Sequence, residues 1–311
     1  MKLATDNRAM AMFCVLAGVG LASAQDAVVK YMSSGYPAYE TLLFRCVGSL
    51  PVIAFVLWRE GRGWSIATPL WRRVCVRGAI LAAAYLCFVL AIAAIPIANA
   101  VAIYFTMPFF VAGLAGPLLH ERVRLHRWLA IIAGFIGVLI MVRPGAGVFE
   151  PASLLALGSA MGYAVGQMLG RPLSQKVTPI VIATWQNFIY AGLALGLGVV
   201  FNTFDFGTFT HPSLVFLSRP PVWPSAFDAM LLFGHGIFAG TAMILFINAY
   251  RLAETNFVAP FEYSAMIWAV FYGIVLFGDF PDFFTWVGAA IVVVAGILMI
   301  LRDRALDRSL T

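Results

Sequence analysis

Ten apolar stretches, bounded by charge, proline or glycine, constrain this chain more than any other feature: 9–31, 37–58, 74–95, 97–118, 127–142, 152–170, 179–200, 226–250, 257–277 and 283–301. A helix of roughly 20 apolar residues crosses a hydrocarbon layer about 30 Å thick, so each stretch reads as a crossing. The chain is 62% hydrophobic and 11% charged, whereas about a quarter of a soluble domain is charged. No soluble core could absorb so much apolar surface. The expectation is an all-α membrane protein of ten transmembrane helices whose surroundings are the lipid bilayer.

The cations set the orientation. With the N-terminus inside, 16 of the 20 Lys and Arg fall in cytoplasmic segments, and only Lys30, Arg143 and Arg219 lie outside. Positive loops stay cytoplasmic, so both termini are expected inside the cell (inner) membrane. The net charge of +6 is read the same way, because the cations lie in short clusters and form no nucleic-acid-binding face. Lys2, Arg8 and the apolar run to Leu21, followed by Ala22-Ser23-Ala24, have the outline of a signal peptide. Hydrophobicity continues past that point, and the segment reads as the first helix. The four cysteines sit inside apolar runs without ligand spacing, so no metal or cofactor is expected. The connection 201–225 is the only long one. It reads as a surface loop or an interfacial cap.

The two halves echo each other. Asn99, Val101 and Ala102 align with Asn256, Val258 and Ala259; Trp128 aligns with Trp286; GVLIMVR from Gly137 aligns with GILMILR from Gly296. Gln25 and Pro37 fall on Gln167 and Pro179, each pair twelve residues apart. Collinear matches over two five-helix halves divide the chain into repeats at 1–145 and 146–311. Five is odd, so the repeats are inverted. Such symmetry suits alternating access around a site near the midplane.

On these residues the chain resembles the EamA-type carriers of the drug/metabolite transporter superfamily, including His120-Glu121 where the family often has Gly-Glu. SAQDAVVKYMSSGYPAYETLLFR from Ser23 to Arg45, Ala259-Pro260 with Tyr263, and FGDFPD from Phe277 to Asp282 are most similar to S-adenosylmethionine uptake and riboflavin transporter-like members. Those carriers tend to have an Arg where this chain has Glu262. The resemblance implies a secondary transporter of a small polar or zwitterionic organic metabolite, S-adenosylmethionine-like, riboflavin-like or amino-acid-like. A passive channel or a non-transporting assembly subunit is the alternative.

The candidate site residues are the polar and aromatic groups expected deep in the membrane. Charges there are expensive, by about 2.5–3.5 kcal/mol each, and need partners. Asp26 and Lys30 share a helix face, and an Asp26–Arg45 bridge is the expected lock between the first two helices, with substrate or proton handling as its alternative role. Glu40 reads as a rim residue. In the sixth helix Gly158, Gly162, Gly166 and Gly170 form a packing stripe, beside a polar stripe of Ser159, Tyr163 and Gln167. Tyr85, Tyr104, Asn187, His235, Glu262, Tyr263 and Met266 complete the substrate-binding set. Protons are a candidate coupling ion through Glu262, His235 or Asp26. The chain lacks GxxxxGK[ST], HExxH and GxSxG, so ATP-driven transport and intramembrane hydrolysis are not expected.

Overall fold

The computed structural model describes residues 8–61, 65–119, 125–143, 150–174, 176–252, 258 and 261–308. Among these residues twelve helices are assigned and no strand: α1 (Arg8–Met32), α2 (Ala38–Arg59), α3 (Trp71–Ala94), α4 (Ile97–Tyr104), α5 (Met107–Leu119), α6 (Leu125–Val142), α7 (Ala152–Ser174), α8 (Pro179–Thr203), α9 (Pro212–Ser218), α10 (Ala226–Leu252), α11 (Ala265–Phe277) and α12 (Phe283–Arg308). Six of them, α1, α2, α3, α7, α8 and α10, are long and apolar enough to cross a membrane, and shorter apolar stretches run over Ile97–Val111, Trp128–Val142, Ala265–Phe277 and Phe283–Met299. The exterior is apolar too. Ile132, Leu139, Val199, Ile267 and Val275 are each more than half exposed, an arrangement that suits lipid, where apolar contact costs nothing.

The fourth apolar run, expected as one helix, is broken. After Tyr104 the backbone tightens, with Thr106 N donating to Ile103 O at 3.0 Å and Thr106 Oγ1 to the same carbonyl at 2.7 Å, and α5 restarts as Phe109 N donates to Thr106 O at 2.9 Å. Pro108 sits in the first turn of α5, where its missing N–H leaves no bond unmade. The ninth run breaks at the corresponding place, with Tyr263 and Ser264 in a turn before α11. The two breaks touch, the rings of Phe105 and Tyr263 lying 4.9 Å apart. His120-Glu121, Asn256 and Ala259-Pro260 lie outside the described residues.

Packing pairs helices of the first half with helices of the second. α1 packs on α10 as α7 packs on α3, α2 meets α10 as α8 meets α3, and α2 meets α8 while α6 meets α12. Glycines set the closest approaches. A Cβ at Gly166 would overlap the Leu81 side chain, and one at Gly170 would lie 2.7 Å from Arg77 Nε, so this part of the α7 stripe is the seam with α3. At the α2–α10 crossing the backbones themselves meet at Gly48 and Gly236.

The connection 201–225 is largely exposed, but a short helix within it packs onto the bundle. Within it α9 starts at His211, whose Nδ1 accepts from Ser213 N at 3.3 Å. Ser213 Oγ donates to Leu90 O at 2.7 Å, and Phe216 is buried.

Candidate functional site

Arg45 projects from α2 into the bundle and lies against two tyrosine rings, 4.7 Å from the centroid of Tyr85 on α3 and 5.3 Å from that of Tyr190 on α8. The rings are themselves 5.5 Å apart and inclined by 27°. A desolvated guanidinium on an aromatic face gains about 2 kcal/mol, which offsets part of its burial. Its Nε donates to Gln25 Oε1 on α1 at 3.3 Å. Tyr190 is held in turn, its hydroxyl donating to Leu81 O at 3.0 Å and accepting from Gln186 Nε2 at 3.2 Å.

The expected Asp26–Arg45 bridge is not formed. Gln25, one residue earlier and so about 100° round the helix, takes the guanidinium. Asp26 feels the Arg45 charge without contact. Nor does Lys30 turn to Asp26. Its ammonium pairs with Asp279 at 2.8 Å and donates to Ile95 O at 3.1 Å.

The remaining aromatics extend the cluster. Tyr104, the last residue of α4, makes edge contacts with Phe88 at 5.5 Å and Tyr163 at 5.4 Å, and lies within electrostatic range of Glu262. Ser159 and Tyr163 of the α7 stripe join the interior, with Ser159 fully buried, but Gln167 is exposed. A stripe of every fourth residue drifts by about 40° per step, and over eight residues Gln167 has turned about 80° away from Ser159. Asn187 serves as a bolt between helices, its Nδ2 donating to Cys46 O at 3.1 Å while its Oδ1 accepts from Ser49 Oγ at 2.9 Å. His235 is 0% exposed beside the α2–α10 crossing; Met266 and Tyr263 are buried near the second break. Among the described residues the ring nitrogens of His235, Ser159 Oγ and Tyr263 OH lack hydrogen-bond partners. Buried polar atoms are nearly always paired, so these mark polar capacity that packing does not use.

Arg77, one of the 16 cations assigned to cytoplasmic segments, bonds inside the bundle, which the charge pattern did not anticipate. Its Nε donates to Gly166 O at 3.0 Å and its Nη1 to Gln186 Oε1 at 3.1 Å. A cation seven residues into a crossing helix was the available signal.

Polar contacts close the end of the bundle near the α1–α2 turn. Besides Lys30–Asp279, Arg219 donates to Ser33 O at 3.0 Å, Tyr39 OH donates to Arg219 O at 3.0 Å, and Val222 N donates to Glu40 Oε2 at 3.2 Å. Glu150 and His211 meet at 2.6 Å, and Arg143 pairs with Asp282. Tyr36 donates to Asp228 at 2.8 Å, a bond that pushes the Tyr36 phenol above its usual range. Burial works against the Asp282 carboxylate, but bonds from Thr285 and the Arg143 guanidinium hold it below the usual carboxylate range. Two cavities of about 370 Å³ each open at the opposite end, around Arg72, Arg73, Lys176 and Thr178, and neither is lined by a residue touching Arg45.

The sequence pattern of the EamA-like transporter family matches residues 9–143 and again 151–302. The riboflavin transporter of Vibrio cholerae is 29% identical over 201 residues, 65% of this chain and 61% of that protein. The chain therefore matches less than two thirds of that relative's length. The S-adenosylmethionine uptake transporter of Rickettsia prowazekii is 21% identical over 283 residues, 91% of this chain and 89% of that protein. A solved crystal structure superposes with a TM-score of 0.63 at 19% identity, covering 96% of this chain and 99% of the other, which establishes the shared fold.

Proposed function

The chain belongs to the EamA-like transporter family, and from that premise we propose that it is a secondary carrier moving a small polar or zwitterionic organic metabolite across the cytoplasmic membrane by alternating access. It is a multi-pass membrane protein and a transporter, not an enzyme, as its relatives are transporters. In this reading the ten apolar segments form two inverted five-helix repeats, 1–145 and 146–311, with both termini cytoplasmic. Support comes from the exchange symmetry of the packing, in which α1 on α10 matches α7 on α3, and from the touching breaks of two helices at Phe105 and Tyr263. Broken helices at mid-membrane are where carriers of this kind hold their solutes.

The observation that carries the reading is Arg45, partly buried between Tyr85 and Tyr190 and without a carboxylate partner among the described residues. Ring faces, hydroxyls and an unneutralised cation in one place suit a polar solute with a flat or zwitterionic body. Asp26, Tyr104, Tyr163 and Glu262 complete the surroundings, and protons are the proposed coupling ion. Reconstituted protein should show saturable counterflow with riboflavin, S-adenosylmethionine or an amino acid. Linear, unsaturable flux without counterflow would make it a channel instead. Glu262→Gln should flatten the pH dependence of uptake; an unaltered profile removes Glu262 from proton handling.

A further inference from the structure

Two guanidiniums lie within the spanning part of the bundle, and neither has a carboxylate within ion-pair distance among the described residues. Arg45 is bound by Gln25, Tyr85 and Tyr190; Arg77 is bound by Gly166 O and Gln186 Oε1. Neutral acceptors satisfy geometry but leave the charge. A guanidinium has five N–H donors in a fixed fork. Arg45 uses one of them and Arg77 two in the hydrogen bonds described, so each keeps its Nη2 edge for another acceptor. Both charges act on the same two phenols, Tyr163 and Tyr190.

The cations form a series. Arg77 precedes Tyr85 by eight residues of α3, about 12 Å of helix axis. One turn beyond Arg77 is Arg73, which with Arg72 and Lys176 lines an open groove of about 370 Å³ on the outer surface between α3 and α7, otherwise walled by Leu70, Val76, Leu169, Pro172 and Leu173. That lining contains no acidic residue. Loop cations are expected at a cytoplasmic interface, but that rule does not explain Arg77, whose long side chain could reach the nearby interface yet bonds inside the bundle to α7 and α8. Gly170 makes the room, since a Cβ there would press on Arg77 Nε at 2.7 Å.

We propose that the substrate carries an anionic group, a carboxylate or a phosphate, which Arg45 holds in the central cluster and Arg77 receives on the path to the basic end of α3. The proposal rests on the carrier reading and narrows its substrate class. Bidentate binding by planar guanidiniums fits both anions. Asp26, on α1, is left to the cationic or neutral part of the molecule.

The test uses purified full-length protein and two probes. Inorganic phosphate, titrated against chloride at constant ionic strength, should raise the melting temperature by mass action. That rise should need at least tenfold more phosphate in Arg77→Gln and persist in Arg77→Lys. Riboflavin and its 5′-phosphate share one ring system, and the phosphorylated member should bind at least tenfold more tightly, a preference lost in Arg77→Gln. A structural role for Arg77 would lower the melting temperature without changing that ratio. The proposal is overturned by the absence of any phosphate effect, by an equal effect in Arg77→Gln, or by equal binding of the two flavins. If Arg77→Gln does not fold, the wild-type flavin ratio and Arg77→Lys decide. Counterflow of the same flavins separates the two readings: charge-selective binding without counterflow overturns the carrier and leaves the anion site, whereas counterflow indifferent to the phosphate overturns the anion site and leaves the carrier.

Discussion

Arg45 is held by contacts that lysine cannot reproduce. Its planar guanidinium lies against two rings while its Nε reaches Gln25; an ammonium on a flexible stem keeps the charge but loses the stacking and the fork. Arg45→Lys is therefore expected to lower the initial rate of counterflow at least tenfold, and Arg45→Gln further, with folding checked by thermal melting. Asn187 belongs to a different class despite lying on the same helix as Tyr190. Its amide bonds both Cys46 O and Ser49 Oγ, and interhelical bonds in membranes average about 0.6 kcal/mol each. Asn187→Ala should destabilise the protein by about 1–2 kcal/mol, since it also leaves buried groups unpaired, while substrate affinity in the folded fraction changes little. Arg45, Tyr85, Tyr104 and Tyr163 are legible in the sequence as candidates because a polar residue inside an apolar run has few other places to go. The sequence could not choose the partner of Arg45. Gln25 and Asp26 differ by one helical step, and only the crossing of α1 and α2 decides between them.

Helix ends show where the sequence was readable and where it was not. The apolar runs anticipated the six long helices and the four shorter apolar ones because hydrophobic length is a one-dimensional property. The break after Tyr104 was hidden, as the chain stays largely apolar through it and only Pro108 hinted at it, whereas the one before Ala265 lies at Glu262, Tyr263 and Ser264, just after Pro260. At α12 the start is fixed by chemistry that is visible in FGDFPD: Asp282 Oδ1 accepts from Thr285 N at 2.8 Å as an N-cap, and the same carboxylate pairs with Arg143. Its folded-state affinity for protons is lowered. The cap's contribution is therefore complete above the unfolded carboxyl value, about 3.9, and is lost as pH falls through the lower folded value. Melting temperature measured from pH 6 to pH 3 should fall in the wild type over the acid end. Asp282→Asn, which keeps the cap acceptor without the charge, should show a shallower fall. Asp282→Ala should cost about 1 kcal/mol at pH 7 through the lost cap.

At the scale of the whole molecule, polar contacts close the side near the α1–α2 turn. Lys30 of α1 and Asp279, between α11 and α12, connect the first half to the second across the closed side, and the cap bearing α9 adds Arg219 on Ser33 O and Tyr36 O. If the halves rock about the Arg45 cluster, this side must open in each cycle, and the Lys30–Asp279 pair must break. A partly exposed pair is worth up to about 1 kcal/mol, so Asp279→Asn should shift the balance toward the opened state by about fivefold, read as faster thiol labelling of a cysteine placed at Ser33. Joining the two positions has the opposite effect. A Lys30→Cys, Asp279→Cys protein treated with a reducible bifunctional thiol reagent should retain ligand-induced thermal stabilisation, because the Arg45 cluster is untouched, yet lose counterflow at least tenfold until the cross-link is reduced. Full counterflow in the cross-linked protein would mean that this side does not open during transport, and the rocking of the two halves would have to be abandoned.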